Sequence, residues 1–259
     1  MNMTGWIGAT ILGLCAPASV ARADHHDTMA PAGGAPTSGW TASVAVVAAS
    51  FSMRSYIGAY QGVLPSATWA AGRYAIAASL PGYRLDENGQ QTYGLGDAVV
   101  GGQASWRRDR PTSFGVSLAV SAPSGDPQRG YGMGHLMVMP AVFGSWTFAN
   151  VTLIATAGYG RAIGGAAHHD HGAWPLVEPM NLAELTWSGA VAVALAPSLR
   201  AGGRLLGGHP LGLPGVERVI GALRIAWGEG RVETAAEVQA GLAGDPFDVR
   251  GVLSTGLRF

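Results

Sequence analysis

From residue 40 onward, polar and apolar positions alternate with a period of two. Arg231, Glu233, Glu237 and Gln239 fall in one phase; Val232, Thr234, Ala236, Val238, Ala240 and Leu242 fall in the other. Asp248, Arg250, Ser254 and Arg258 alternate likewise with Val249, Leu253, Thr255, Leu257 and Phe259, and Ser113, Gly115, Ser117, Ala119 and Ser121 with Phe114, Val116, Leu118 and Val120. Successive side chains of an extended strand point to opposite faces, so each run predicts a strand with one apolar face and one polar or small face. About twelve such runs occur, near 41–51, 62–71, 73–83, 95–106, 112–122, 133–147, 150–163, 181–195, 198–207, 216–227, 230–242 and 248–259. The connections sort by length: short turns at 72–73, 107–111, 149–150, 196–198 and 228–230 alternate with longer ones at 52–61, 84–94, 123–132, 164–180 and 208–215, and on the longer side only the last, 244–247, is short. A soluble β-sandwich would also alternate, but it has no reason to gather its short connections at one end. An outer-membrane barrel does, with short periplasmic turns and longer outer loops.

Composition changes the picture by naming the solvent. The chain is 48% hydrophobic and only 12% charged, where soluble domains carry about 25% charge. Past residue 23 there is no run of the roughly 18 apolar residues that a spanning helix needs. Backbone polar groups in hydrocarbon must be satisfied internally, which leaves a closed barrel. The predicted fold is therefore all-β, a transmembrane antiparallel up-and-down β-barrel of about 12 strands in a bacterial outer membrane, with outer-membrane lipid as a partner. Trp40, Trp69, Trp106, Trp146 and Trp227 all fall at the short-turn ends of their runs, as expected of rings that gather at a membrane interface. The 16 basic residues, all arginine, balance 16 acids, so no excess of positive charge points to nucleic acid.

Residues 1–23 read as a secretory signal peptide, with an apolar stretch from Trp6 to Cys15 and Ala21-Arg22-Ala23 as an A-x-A cleavage site. The region before that stretch carries no Lys or Arg. Residues 24–39, rich in Ala, Pro, Gly, Ser and Thr, read as a flexible N-terminal segment, and residues 40–259 as the barrel. Phe259, with Leu257 and Leu253 in phase, resembles the C-terminal signature that outer-membrane proteins present to the barrel assembly machinery, which is therefore an expected partner.

Gly94-Leu95-Gly96-Asp97 opens one run, Ala122-Pro123-Ser124-Gly125-Asp126 follows in a loop, and Gly130-Tyr131-Gly132-Met133-Gly134 and Pro140 come next. Together these resemble the outer-membrane transporter family of the meta-pathway of phenol degradation, across about residues 60–165. The chain departs from that pattern in having Ala122-Pro123-Ser124 where a Pro-Thr-Gly type run is expected. The resemblance implies a barrel that imports hydrophobic or aromatic compounds.

Charged residues facing lipid are costly, so the alternation assigns Glu184, Arg200, Arg204, Arg218, Arg224, Arg231, Glu233, Glu237, Arg250 and Arg258 to the lumen. They would serve either as an anion-attracting wall along a solute path or as a self-neutralised plug. No phosphate loop, P-loop lysine or zinc-type Cys/His spacing occurs, so no cofactor is expected and no enzyme; a barrel hydrolase would need His and Ser held together, and no such motif lies near His135. The alternative to a channel for a small-molecule solute is a plugged barrel that binds a ligand or a copper or zinc ion. Its candidate ligands are His25 and His26 after the cleavage site, the group Met133, His135, Met137 and Met139 on one strand face, and His168, His169 and His171 in the 164–180 connection. Thioether and imidazole suit Cu(I), and imidazole with a carboxylate suits Cu(II) or Zn. Idle loop histidines and gap-filling methionines would look the same in sequence.

Overall fold

The computed structural model describes residues 38–53, 56–109, 112–164, 177, 180–212, 215–244 and 247–259. Among the described residues fourteen strands form one sheet: β1 (Gly39–Met53), β2 (Tyr56–Ala71), β3 (Tyr74–Ser79), β4 (Gly82–Glu87), β5 (Gln90–Leu95), β6 (Ala98–Asp109), β7 (Thr112–Ala122), β8 (Leu136–Phe148), β9 (Val151–Ile163), β10 (Ala183–Ala196), β11 (Leu199–Pro210), β12 (Arg218–Glu229), β13 (Val232–Ala243) and β14 (Val249–Arg258). Each strand pairs antiparallel with its neighbours, and β1 closes the sheet by pairing with both β14 and β2. Two long strands are each broken once. β3 and β4 pair with successive halves of β2, and β5 and β6 continue one another beside them. The breaks fall together at Leu80-Pro81 and Gly96-Asp97, where Leu80 N–H reaches Pro65 O and Gly96 N–H reaches Pro81 O. Counting each broken pair once, the architecture is a closed 12-stranded antiparallel β-barrel. No helix among the described residues is long and apolar enough to cross a membrane.

The faces of the barrel are inverted relative to a soluble protein. On β13, Glu233, Glu237 and Gln239 are buried while Val238 and Leu242 are 59% and 60% exposed. Leu223 on β12 is 73% exposed beside buried Ala222. A continuous apolar outer surface of this kind marks a membrane or partner surface. Trp40, Trp69, Trp106, Trp146 and Trp227 stand exposed at the end that carries the tight turns, with Trp40 directly opposite Trp69. Phe259 N–H donates to Trp40 O across the closing seam.

Several expected boundaries shift, among them β6, which runs over Ala98–Asp109 where 95–106 was expected, and β11, which runs on to Pro210. The connections predicted at 52–61 and 84–94 are strand: β1 and β2 pair as far as Met53 and Tyr56, and β4 and β5 as far as Glu87 and Gln90 around the Asn88-Gly89 turn. Polar residues on both faces hide the period there, because these hairpins rise beyond the neighbouring strands. The run predicted from 133 begins at Leu136 instead, since Gly134 takes a left-handed conformation (φ +70°) that an extended strand does not use.

Candidate functional site in the barrel lumen

Alternation places the charged residues of β10–β14 on the inner wall, where they form a ladder over its height. At the loop end Glu184, fully buried, accepts from Arg218 Nη2 at 2.7 Å and from Asn181 Nδ2 at 2.7 Å. Midway, Glu237 takes Arg204 Nη2 at 3.3 Å and lies 3.8 Å from Arg224 Nη1. Towards the turn end Glu233 takes Arg200 Nη2 at 3.3 Å and lies 3.6 Å from Arg258 Nη2. Gln239 donates to Glu237 and accepts from Arg250 Nε at 2.7 Å. Arg250 in turn donates to the Tyr60 hydroxyl and sits 4.2 Å above the Phe247 ring. On this wall six guanidiniums (Arg200, Arg204, Arg218, Arg224, Arg250, Arg258) face three carboxylates (Glu184, Glu233, Glu237), an excess of three positive charges. Nε and Nη1 of Arg200 have no acceptor among the described residues. Arg231 stands in the turn before β13, exposed, because the strand starts one residue later.

Near the loop end the lumen is apolar. Val47, Phe51, Tyr60, Leu64, Tyr83, Leu85, Leu206 and Ile220 from the strands pack with Tyr131, Val177 and Phe247 from three connections. Tyr131, Val177 and Phe247 therefore lie in the mouth, with Val177 N–H donating to Gly130 O. The 123–135 connection is held there by Asp97, at the β5/β6 break. Its Oδ1 accepts from Gly125 N–H at 2.9 Å and its Oδ2 from Met133 N–H at 2.8 Å. Ser124 Oγ donates to Gly96 O and accepts from Ala98 N–H. Glycine is required by contact: a Cβ on Gly94 would stand 2.4 Å from the Tyr131 ring, and one on Gly132 2.4 Å from Asp97 Oδ1. The three glycine-containing motifs thus meet as one latch. Burial pushes the Asp97 carboxyl up, against the N–H groups of Met133, Gly125 and Ser124 that pull it down. Burial likewise pushes the Tyr131 phenol up, while its bond to Thr92 lowers it.

Met133, His135, Met137 and Met139 are all buried, at 3%, 5%, 0% and 3% exposure. Only Met137 and Met139 lie in β8; Met133 and His135 precede it in the latch connection. Sequence spacing did not single out Met180, which joins Met133, Met137 and Met139 in one packed cluster with Val99 and Ala119. Asp97 and Tyr60 were not singled out as site residues, since their partners lie 28 or more residues away, and Asn181 was not because it stands in a connection without periodicity, although its partner Glu184 is only three residues on. His25, His26, His168, His169 and His171 lie outside the described residues. No group of three or more His, Cys, Asp or Glu side chains placed to hold a metal occurs among the described residues.

The fold is that of a small closed β-barrel with charged residues on its inner wall. It is similar to the crystal structure of an outer membrane channel from Pseudomonas putida F1, with a TM-score of 0.68 at 11% identity over 86% of this chain and 96% of that one. It is also similar to the KdgM porin (TM-score 0.53, 8% identity, 85% and 99% covered) and to the KdgM porin in complex with disordered oligogalacturonate (0.54, 9%, 85% and 99%). No family model and no curated protein matches the sequence.

Proposed function

We propose that the protein is a non-enzymatic outer-membrane channel for a small solute that combines an apolar or aromatic body with negative charge. The arginine excess on the β10–β14 wall carries this reading. A low-dielectric lumen lined by one sign of net charge concentrates the opposite ion, and the Arg200 hydrogens without a protein acceptor suit an anionic group in transit. The Phe51, Tyr60, Tyr83, Tyr131 and Phe247 surfaces at the mouth suit the apolar body. In this reading residues 1–23 direct secretion and are removed, the apolar outer face meets lipid, the tryptophan band marks the periplasmic interface, and Phe259 serves recognition by the barrel assembly machinery.

Planar-bilayer recording tests the charge reading. Across a KCl gradient the reversal potential should report anion preference, and Arg204→Ala with Arg224→Ala should move it towards cation preference. A wild-type reversal potential on the cation side would overturn the reading. A second reading, a plugged barrel that captures ligand at its mouth, is favoured by one observation, the inward placement of Tyr131, Val177 and Phe247. Absence of any unitary current from folded wild-type protein would select it.

A further inference from the structure

Among the described residues, buried methionine is gathered at one place on the inner wall. Of the six buried members of the smaller apolar cluster, Met133, Met137, Met139 and Met180 are four. They come from the latch connection, from β8 and from the entry to β10, which the structure ties together.

Met137 and Met139 are alternate residues of β8 and so share its inner face. Behind them β7 offers only small partners, Ser121 opposite Met137 and Ala119 opposite Met139. On the other side the β8–β9 pairing is interrupted between Val138↔Arg161 and Ala141↔Gly158, where Pro140 has no N–H to give. Met133 is brought in by its own backbone, whose N–H is held by Asp97 Oδ2. Met180 is brought in by the bonds of Asn181 to Glu184 and Val216. The Met137 and Met180 methyl carbons both lie 3.5 Å from the place where Gly160 would carry a Cβ, and Glu184 Cγ lies 3.4 Å from the same place. A glycine there leaves two thioethers and the base of a carboxylate around one small space.

We propose that the thioethers of Met133, Met137, Met139 and Met180 form a binding site for a soft monovalent metal ion, Cu(I) or Ag(I), on the inner wall at the loop end of the barrel. Neutral, polarizable sulfur donors select Cu(I) over Mg, Ca or Mn, which want oxygen, and over Zn, which wants thiolate or imidazole. A single positive charge also costs less to desolvate than two. Methionine side chains with three rotatable bonds can converge on one ion without moving the backbone.

The test is anaerobic titration of the purified, detergent-folded barrel with Cu(I) against a chromophoric Cu(I) chelator, with X-ray absorption at the copper edge. Wild type should retain one Cu(I) with sulfur scatterers. Met137→Leu with Met180→Leu, which conserves volume, should weaken retention by at least about tenfold. His168→Ala, His169→Ala and His171→Ala together should leave it unchanged. Heat-dependent gel mobility reports whether each variant is folded, and Met139→Leu alone replaces the double variant if that one is not. Failure of wild type to retain Cu(I), equal retention by the methionine variants, or a shell of nitrogen and oxygen only would overturn the proposal. None of these outcomes depends on whether the barrel conducts.

Discussion

Replacing Asp97 by alanine should convert a narrow unitary conductance into one several-fold larger. The Asp97 carboxylate is the acceptor for two buried backbone N–H groups, those of Gly125 and Met133, which lie eight residues apart in one connection. A buried donor left without an acceptor costs about 1–3 kcal/mol. Two such losses are comparable with the free energy that holds a loop in place, since local opening spans the range from near zero up to the global stability. The anchors that remain include the Ser124 bonds to Gly96 and Ala98, the Tyr131 contact with Thr92 and the Val177 N–H bond to Gly130 O. None of them replaces the acceptor at Gly125 or Met133. The connection should therefore spend part of its time out of the mouth, with Tyr131 withdrawn from the apolar cluster. Asp97→Asn, which keeps one accepting oxygen and presents an amide to the other N–H, should give an intermediate conductance. Asp126→Ala, at an exposed acid whose side chain caps the short 3-10 turn Pro127–Arg129 and pairs with exposed Arg129, should leave it unchanged. Current from Asp97→Ala equal to that of wild type would show that the 123–135 connection does not set the constriction.

The strands were legible in sequence because a barrel wall has one lipid-like face and one inner face, and that difference writes a period of two. It faded wherever the wall rises past its neighbours: at 52–61 and 84–94 both faces are mixed, and the strands there read as loops. The ladder was legible in the same way, for Arg200, Arg204, Arg218 and Arg224 could only be accommodated inward. Arg231 shows the limit of that logic, since phase continues past the end of a strand while the wall does not. Connections carry no such signal. That Gly94, Gly125 and Gly132 recur near Asp97 and Tyr131 was visible as motif, but the reason is a contact between segments 28 to 36 residues apart in sequence. Met180 had no local mark at all; it belongs with Met133, Met137 and Met139 only because Asn181 is fastened to Glu184.

Glu184→Ala is expected to produce the largest loss of stability of any single substitution on the charged wall. Glu184 is fully buried, and each of its oxygens is engaged, one by Arg218 Nη2 and the other by Asn181 Nδ2. Gly208 permits this approach, since a Cβ there would stand 2.9 Å from Glu184 Oε2 and 3.1 Å from Arg218 Nη2. The pair is thus enclosed by backbone on the side where a side chain would otherwise stand, and water has little room to replace the carboxylate. Removing one partner of a buried pair costs about 3–5 kcal/mol, chiefly because the other charge stays buried without compensation. Urea unfolding of the barrel in lipid vesicles should show the midpoint fall by a matching amount. Arg218→Met in the Glu184→Ala background should recover most of the loss, because a pair replaced by apolar groups leaves no stranded charge. That recovery separates an electrostatic cause from simple loss of packing, which a second truncation would deepen. Asn181 reaches both Glu184 and the backbone of Val216, joining the entry to β10 with the entry to β12. The single variant should therefore also loosen both connections, read as faster amide hydrogen exchange at Asn181 and Val216. A Glu184→Ala barrel within about 0.5 kcal/mol of wild type, the range of an ordinary surface substitution, would mean that water screens the Arg218–Glu184 pair and that the lumen at this level is wet.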